Sequence, residues 1–542
     1  MIKTEKVLCM QQNKYICMNA GMFLRKQLWI TRSPFSVLKC YVRHISTAST
    51  RFDAATKFNE ESPNPEDAAD ATSTVLTEAV DFQKRIQSKN RLTWWEILRR
   101  RSERIRNGTH SDSDTLNGVK TTAITQKTRG DSFSYICLPF KDDLFLRDFY
   151  INAPGRLRFG HLFQDLDGLA GRVAARHCMP AEPMNVTASI DRIYVTKKID
   201  EINKYNFVLV GYVTYTGHSS MEICIKGFSY TGLIPKKITP EIVNTDADKC
   251  FISANFTFAA RNPITHRAHN INKILPTTEK EWADYKRAES HNAAKKLRAK
   301  SENLNKVPPT GKESQMIHNM YMAGKAVKAL DIKPGNISFM SDTKVSATQI
   351  QQPQYRNRNG FIFGGYLLRQ TFELAYCAAG AFSRAAPRFV SLDNTTFKAP
   401  VPVGCVLFMD AEVCYTEHVH EKGENAASAV ELSSLMQDYD TAANHVSKDL
   451  HELISSPGTL IQVKVVTKTR SLSDARHFTE SGNFVYSFFV PRDASGTFDS
   501  PGYSSVIPVS YGEMIDYVEG RRRAYETADY AQQLKMNGEM EY

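Results

Sequence analysis

A chain of 542 residues, 42% hydrophobic and 23% charged, has room for two or three domains and the composition of a folded protein, not of a disordered one. Its formal charge of +11 invites a nucleic-acid reading, but residues 1–50 hold eight basic residues and one acid, so the remaining 492 carry only +4. The ten cysteines include no CxxC pair, which argues for packed thiols and against a disulfide framework.

The basic leader reads as an address. From Met22, a second candidate start, Arg25, Arg32 and Lys39 recur every seven residues beside Leu24, Leu28, Phe35, Leu38 and Val42, and no acid intervenes before Asp53. That is the pattern of an amphipathic mitochondrial presequence, expected over 1–52, and no apolar run is long enough to span a bilayer. A Pro-containing linker, Ser62–Asp70, precedes an Arg-rich amphipathic helix expected over about 77–106, and both belong to an N-terminal extension, 53–127.

The most informative feature is an internal repeat. Asn152-Ala-Pro-Gly155-Arg-Leu-Arg-Phe159-Gly160 and Asn357-Arg-Asn-Gly360-Phe-Ile-Phe-Gly364-Gly365 place Asn, Gly and Gly at the same spacing, 205 residues apart. Each copy runs into a helical segment, with Leu162, Leu166, Leu169 and Val173 on one face of the first and a nearly all-apolar surface on the second. Alternating, β-branched runs follow each helix, and Ile190-Asp191 in the first set corresponds to Leu392-Asp393 in the second. One long helix followed by several antiparallel strands, twice over, predicts an α+β fold in which each sheet wraps its own helix.

Between the copies a charged helix is expected from Thr278 to Asn305, opened by a Thr278-x-x-Glu281 capping box, ended by Pro308, Pro309 and Gly311, and serving as an interdomain connector. The polar stretch 420–458 reads as a surface insertion between two strands, and 496–542 as a C-terminal tail and helix.

Several catalytic devices are missing. Gly155-x4-Gly160 lacks the Lys-Ser/Thr of a phosphate loop, and there is no Gly-x-Ser-x-Gly. Glu417-His418-Val-His420-Glu421 has no third cluster nearby, so no metal site is expected. What remains is the Asn/Gly turn leading into a helix that carries an acid. Glycines at a helix start (Gly160, Gly364, Gly365) let a ligand approach free N–H groups that favour a developing oxyanion, an Asn can donate to a carbonyl or orient water, and a carboxylate can serve as general base or nucleophile.

These motifs together resemble the mitochondrial acyl-CoA thioesterase 9 family. The resemblance covers about Asp131 to Arg523 and rests on Asp131-Ser-Phe-Ser-Tyr135, Leu146-Arg147-Asp148-Phe149-Tyr150, Arg158-Phe159-Gly160 with Gln164-Asp165-Leu166-Asp167, Ile362-Phe363-Gly364-Gly365-Tyr366-Leu367 with Glu373-Leu374-Ala375, and Tyr511-Gly512-Glu513. It implies two hotdog domains, 128–262 and 336–495, joined by 263–335 into a pseudo-dimer, and hydrolysis of fatty acyl-CoA to free acid and CoA in the mitochondrial matrix. It also implies no metal or redox cofactor and a homo-oligomer, a trimer of double hotdogs.

Carried over from related paired hotdogs, the composite sites join Asn357 to Asp167 and Asn152 to Glu373. Asp167 lies seven residues after Gly160, whereas the same step from Gly365 reaches Phe372 and the acid comes one later, at Glu373, so the Asn357/Asp167 site is the better formed. Arg156, Arg158, Arg356 and Arg358, near the turns, are candidates for the CoA phosphates. The competing reading is a hotdog module that binds acyl-CoA or acyl carrier protein without turnover, or a structural subunit.

Overall fold

The computed structural model describes residues 123–301, 307–330, 337–357, 360–419, 458–474, 476–491 and 504–536, with a few isolated positions besides. The expected presequence, linker and nearly all of the helix over 77–106 lie outside them, as does the insertion up to residue 457.

In the first half, β1 (Ser134–Leu138) precedes α1 (Phe159–Cys178), and β2 (Met184–Val195), β3 (Asn206–Thr216), β4 (Ser220–Tyr230) and β5 (Cys250–Arg261) follow. Two helices come next, α2 (Glu279–Ser301) and α3 (Gly311–Lys328). The second half repeats the plan with β6 (Val345–Ile350), α4 (Gly364–Ser383), β7 (Arg388–Phe397), β8 (Val406–Val419), β9 (Gly458–Arg470) and β10 (Thr479–Pro491), and α5 (Tyr511–Met536) closes it.

Each sheet curls round its own helix, as the repeat predicts, and the two sheets are also fused. All ten strands form one antiparallel sheet in the order β1-β3-β4-β5-β2-β7-β10-β9-β8-β6. Counted outward from the β2–β7 seam, both halves have the same strand order. The seam sets Leu392 opposite Ile193 and Asp393 opposite Arg192, and Arg192 Nε donates to Asp393 at 2.7 Å.

The strand patterns explain the layers. On β3, Phe207, Leu209 and Val213 join the main core, while Val208, Val210 and Tyr212 join a second apolar cluster with Phe228 and Ile242. Burial on both faces is why β3 reads as an almost unbroken apolar run. Gly211 marks the closest passage of α1, since a Cβ there would lie 3.1 Å from Val173 and 3.4 Å from Leu169. The helices α1 and α4 also pack on each other, and α4 opens on glycines where they meet: a Cβ on Gly365 would sit 2.9 Å from the Gln164 Cα.

The segment expected as a connector does more than connect. Helix α2 lies on the outer face of the first half, with Tyr285 against Tyr215 at 5.2 Å, and α5 lies likewise on the second, with Tyr517 against Tyr415 at 4.9 Å. Thr278-x-x-Glu281-x-x-Asp284-Tyr285 and Ser510-x-x-Glu513-x-x-Asp516-Tyr517 are the same motif. In both, the Ser/Thr hydroxyl accepts from the Glu N–H at 3.3 Å, and the Glu carboxylate accepts from the N–H one residue before the cap, Thr277 at 2.7 Å and Val509 at 2.6 Å. The reciprocal bond expected at Thr278 is thus made at Thr277. The repeat therefore includes an outer helix.

Pro308, Pro309 and Gly311 do not simply end the charged helix either. Helix α2 stops at Ser301, and Thr310 caps a further helix, α3, accepting from Glu313 N–H at 3.4 Å while its own N–H donates to the Glu313 carboxylate at 2.8 Å.

Candidate active site

Both Asn/Gly turns have one architecture. The Asn152 N–H donates to Arg156 O at 2.8 Å, its Oδ1 accepts from Arg156 N–H at 2.7 Å, and Gly155 N–H donates to Asn152 O at 2.9 Å. In the second turn Asn357 N–H donates to Phe361 O at 2.6 Å and its Oδ1 accepts from Phe361 N–H at 3.2 Å. Gly155 (φ +81°) and Gly360 (φ +79°) take the left-handed conformation that closes each loop. The side-chain oxygen of each Asn is thus committed to its own turn.

Asp167, from α1, meets the N-terminus of α4 in the other half. It is 1% exposed, and its carboxylate accepts from Gly365 N–H at 2.7 Å and from the Thr187 hydroxyl at 2.8 Å. A Cβ on Gly364 would come within 3.0 Å of the Asp167 carboxylate. Burial pushes the Asp167 carboxyl up to about 6, against the pull of the Thr187 and Gly365 hydrogen bonds, and no cation is among the groups that shift it. Its hydrogen bonds go to neither Asn357 nor Asn152. Asp167 meets the α4 start itself, and Asn357, its expected partner, stands on the turn leading into that start.

The equivalent place in the other crevice is built differently. The repeat aligns Gly364 with Phe159, Asp167 with Phe372, and Thr187 with Phe389. Those three rings meet one another, with centroids 5.0 Å apart for Phe159–Phe389, 5.5 Å for Phe372–Phe389 and 6.5 Å for Phe159–Phe372. Three phenylalanines thus occupy the space of a glycine, a carboxylate and a hydroxyl. Glu373 sits one residue further along α4 and is 35% exposed, with Arg158 Nε donating to it at 2.8 Å. A Cβ on Gly160 would be 2.8 Å from that carboxylate, so the acid reaches the α1 start, but it is held by an arginine and not by the helix amides.

Of the arginines, Arg156 donates to Ala386 O at 3.2 Å and, with Arg158, stands at this second crevice. Arg356 lies at the turn before α4, and Arg358 is outside the described residues. The sequence reading missed Thr187. Its signal was available, because aligning Asp191 with Asp393 sets Thr187 against Phe389, the same polar-to-aromatic exchange as Asp167 against Phe372.

Two helix-and-sheet halves of identical topology, joined edge to edge with the start of each central helix set against the other, define a double-hotdog protein. No family model matches the chain. It is 33% identical over 297 residues to acyl-coenzyme A thioesterase 2, chloroplastic, of Humulus lupulus, covering 54% of this chain and 65% of that one. It is 31% identical over 300 residues to acyl-coenzyme A thioesterase 4, mitochondrial, of the same plant, covering 54% of each. It is 26% identical over 401 residues to acyl-coenzyme A thioesterase 9, mitochondrial, of Mus musculus, covering 72% of this chain and 77% of that one. The chain therefore spans about half to two thirds of the plant relatives' length and more of the mouse protein's. It is a relative of the mitochondrial acyl-CoA thioesterase 9 group, as its motifs suggested.

Proposed function

We propose that this protein hydrolyses acyl-CoA thioesters, and that it does so at one of its two composite crevices. The observation that carries the reading is Asp167: a fully buried carboxylate without a counter-cation, hydrogen-bonded to the first turn of a helix from the other half. A module that only bound acyl-CoA would gain nothing from burying an uncompensated acid.

In the mechanism, the thioester carbonyl lies at the α4 N-terminus, where the Gly364 amide, with Asn357 on the turn before it, would polarise the carbonyl while the Gly365 amide holds Asp167. Asp167 takes a proton from a water, and the resulting hydroxide adds to the carbonyl carbon. The tetrahedral oxyanion collapses, the C–S bond breaks, and CoA leaves as a thiolate that takes up the proton, releasing the free acid. Thr187 keeps the carboxylate aimed. These steps call on no metal or redox group. By the same reading the second crevice, where Asn152 and Glu373 stand, is not a hydrolytic one. Arg356 is the candidate for a CoA phosphate at the first, and Arg358 is a further candidate on the same turn. We place the protein in mitochondria, in the matrix, from its basic leader and the names of its relatives, and we take a trimer of double hotdogs as its assembly.

Release of free thiol from a series of acyl-CoAs of rising chain length tests this. We expect turnover with at least one of them, and a loss of roughly 10² or more in Asp167→Asn, the scale of losing a general base. Full thiol release by Asp167→Asn would take the chemistry away from that acid, and none by the wild-type chain would overturn the reading in favour of a binding module.

A further inference from the structure

The plugged crevice differs from its partner at the mouth as well as at the base. The repeat sets Arg156 against Phe361, Arg158 against Phe363, Arg369 against Gln164 and Arg388 against Val186. One crevice therefore has a polar base and an uncharged rim, and the other has an aromatic base and a rim of four arginines. Loss of chemistry alone would explain the phenylalanines. It leaves the arginines unexplained, because like charges gathered on one face cost stability unless something answers them.

These cations do act on one another. Arg156 is held below the usual arginine range by burial and then by Arg388, and Arg369 by burial and then by Arg158. His161, in the first turn of α1, is pushed down to about 3 by burial and then by Arg369 and Arg158, so it stays neutral. Two carboxylates face the four arginines: Glu373, on Arg158, and Asp200, paired with Arg388. Tyr376, one turn beyond Glu373, lies within the fields of both Arg156 and Glu373, which joins the two ends of the patch.

A further donor points the same way. The 20-residue helix α1 begins here with Phe159 and Gly160, where a close approach to the backbone is possible. Gln164, four residues on from Gly160, is fully buried; its Oε1 accepts from Arg369 at 3.4 Å, and its own Cα stands beside Gly365 at the other crevice.

We propose that this arginine-rimmed crevice is a binding site for a diphosphate group, separate from the crevice that carries Asp167. The aromatic base admits no extended chain, so the ligand is held by its charge at the rim. Glu373 is the internal competitor: in the empty site it occupies Arg158, and an incoming diphosphate takes its place. The inference stands on the divergence of the two crevices and not on which thioester is cleaved.

Calorimetric titration of the full chain with inorganic pyrophosphate tests it, beside the KM for acyl-CoA measured with and without saturating pyrophosphate. We expect one site per chain and an unchanged KM, with the affinity for pyrophosphate weakened roughly tenfold or more in Arg158→Gln/Arg369→Gln, a loss on the scale of charge-assisted hydrogen bonds. In Glu373→Gln we expect tighter binding by several-fold, a gain that misfolding cannot produce. Absence of binding, unchanged affinity in both variants, or a KM that rises with added pyrophosphate would overturn the proposal; the last would return these arginines to the substrate's own phosphates.

Discussion

At the level of single residues, the chemistry turns on Asp167 and the two groups that hold it. Its carboxyl is poised near 6, so kcat/KM should rise with pH along a limb centred near 6 and level off above it, and Asp167→Asn should abolish that limb along with the rate. Thr187 donates to the carboxylate and so lowers its pKa; Thr187→Val should therefore shift the limb upward and reduce turnover roughly tenfold, the scale of one hydrogen bond to a charged group. A pH–rate profile of the two variants separates these effects from mere loss of fold.

The same burial predicts a stability signature of opposite sign to the usual paired carboxylate. Between the ordinary value of 3.8 and about 6, the folded chain keeps a proton that the unfolded chain has lost, so stability falls as pH rises through that window and the deficit is complete above it. The deficit is about 3 kcal/mol by the size of the shift. Asp167→Asn should accordingly melt at a higher temperature than the wild type at pH 8 and at about the same temperature at pH 4, as thermal unfolding at the two pH values will show.

At the level of elements, the turns, both central helices and most strands were legible in the amino-acid order because each carries its own period and punctuation. The alternating runs that follow each central helix are β2 to β5 and β7 to β10. The β2–β7 seam was not legible, since pairing between the copies leaves no local mark on either strand. Nor was α2 recognised as part of the repeat, because it matches α5 at an offset of 232 residues while the turns match at 205, the insertion in the second half having stretched the register. The aromatic plug was half legible: Phe372 stood where an acid was expected, but its meaning needed Phe159 and Phe389 brought beside it by the fold.

That plug should be structural in effect. Phe372 is 5% exposed among six other rings, so Phe372→Ala should cost about 3–5 kcal/mol of stability while turnover per folded molecule remains, measured by denaturant unfolding beside the thiol assay. At the outer layer, Glu513→Ala removes the acceptor for Val509 and Ser510 N–H at the start of α5 and should cost about 1 kcal/mol.

At the level of the whole molecule, each half supplies half of each crevice, and the two copies have diverged so that the combination works in only one direction. The first half alone, residues 128–301, would pair through its exposed β2 edge with a second copy of itself. In such a homodimer Asp167 would face a helix that starts with Phe159 in place of Gly364, so the self-paired half should be oligomeric and inactive by light scattering and thiol release. Among the described residues no helix is long and apolar enough to cross a membrane.

The measurement that bears most directly on the central claim is thiol release by Asp167→Asn and Glu373→Gln, side by side, at saturating acyl-CoA and with melting temperatures recorded. If the crevice between α1 and the start of α4 is the hydrolytic one, Asp167→Asn loses roughly 10² or more in rate and Glu373→Gln far less, both variants remaining folded. A crippled Glu373→Gln beside an active Asp167→Asn would contradict it, and would move the chemistry to the arginine-rimmed side.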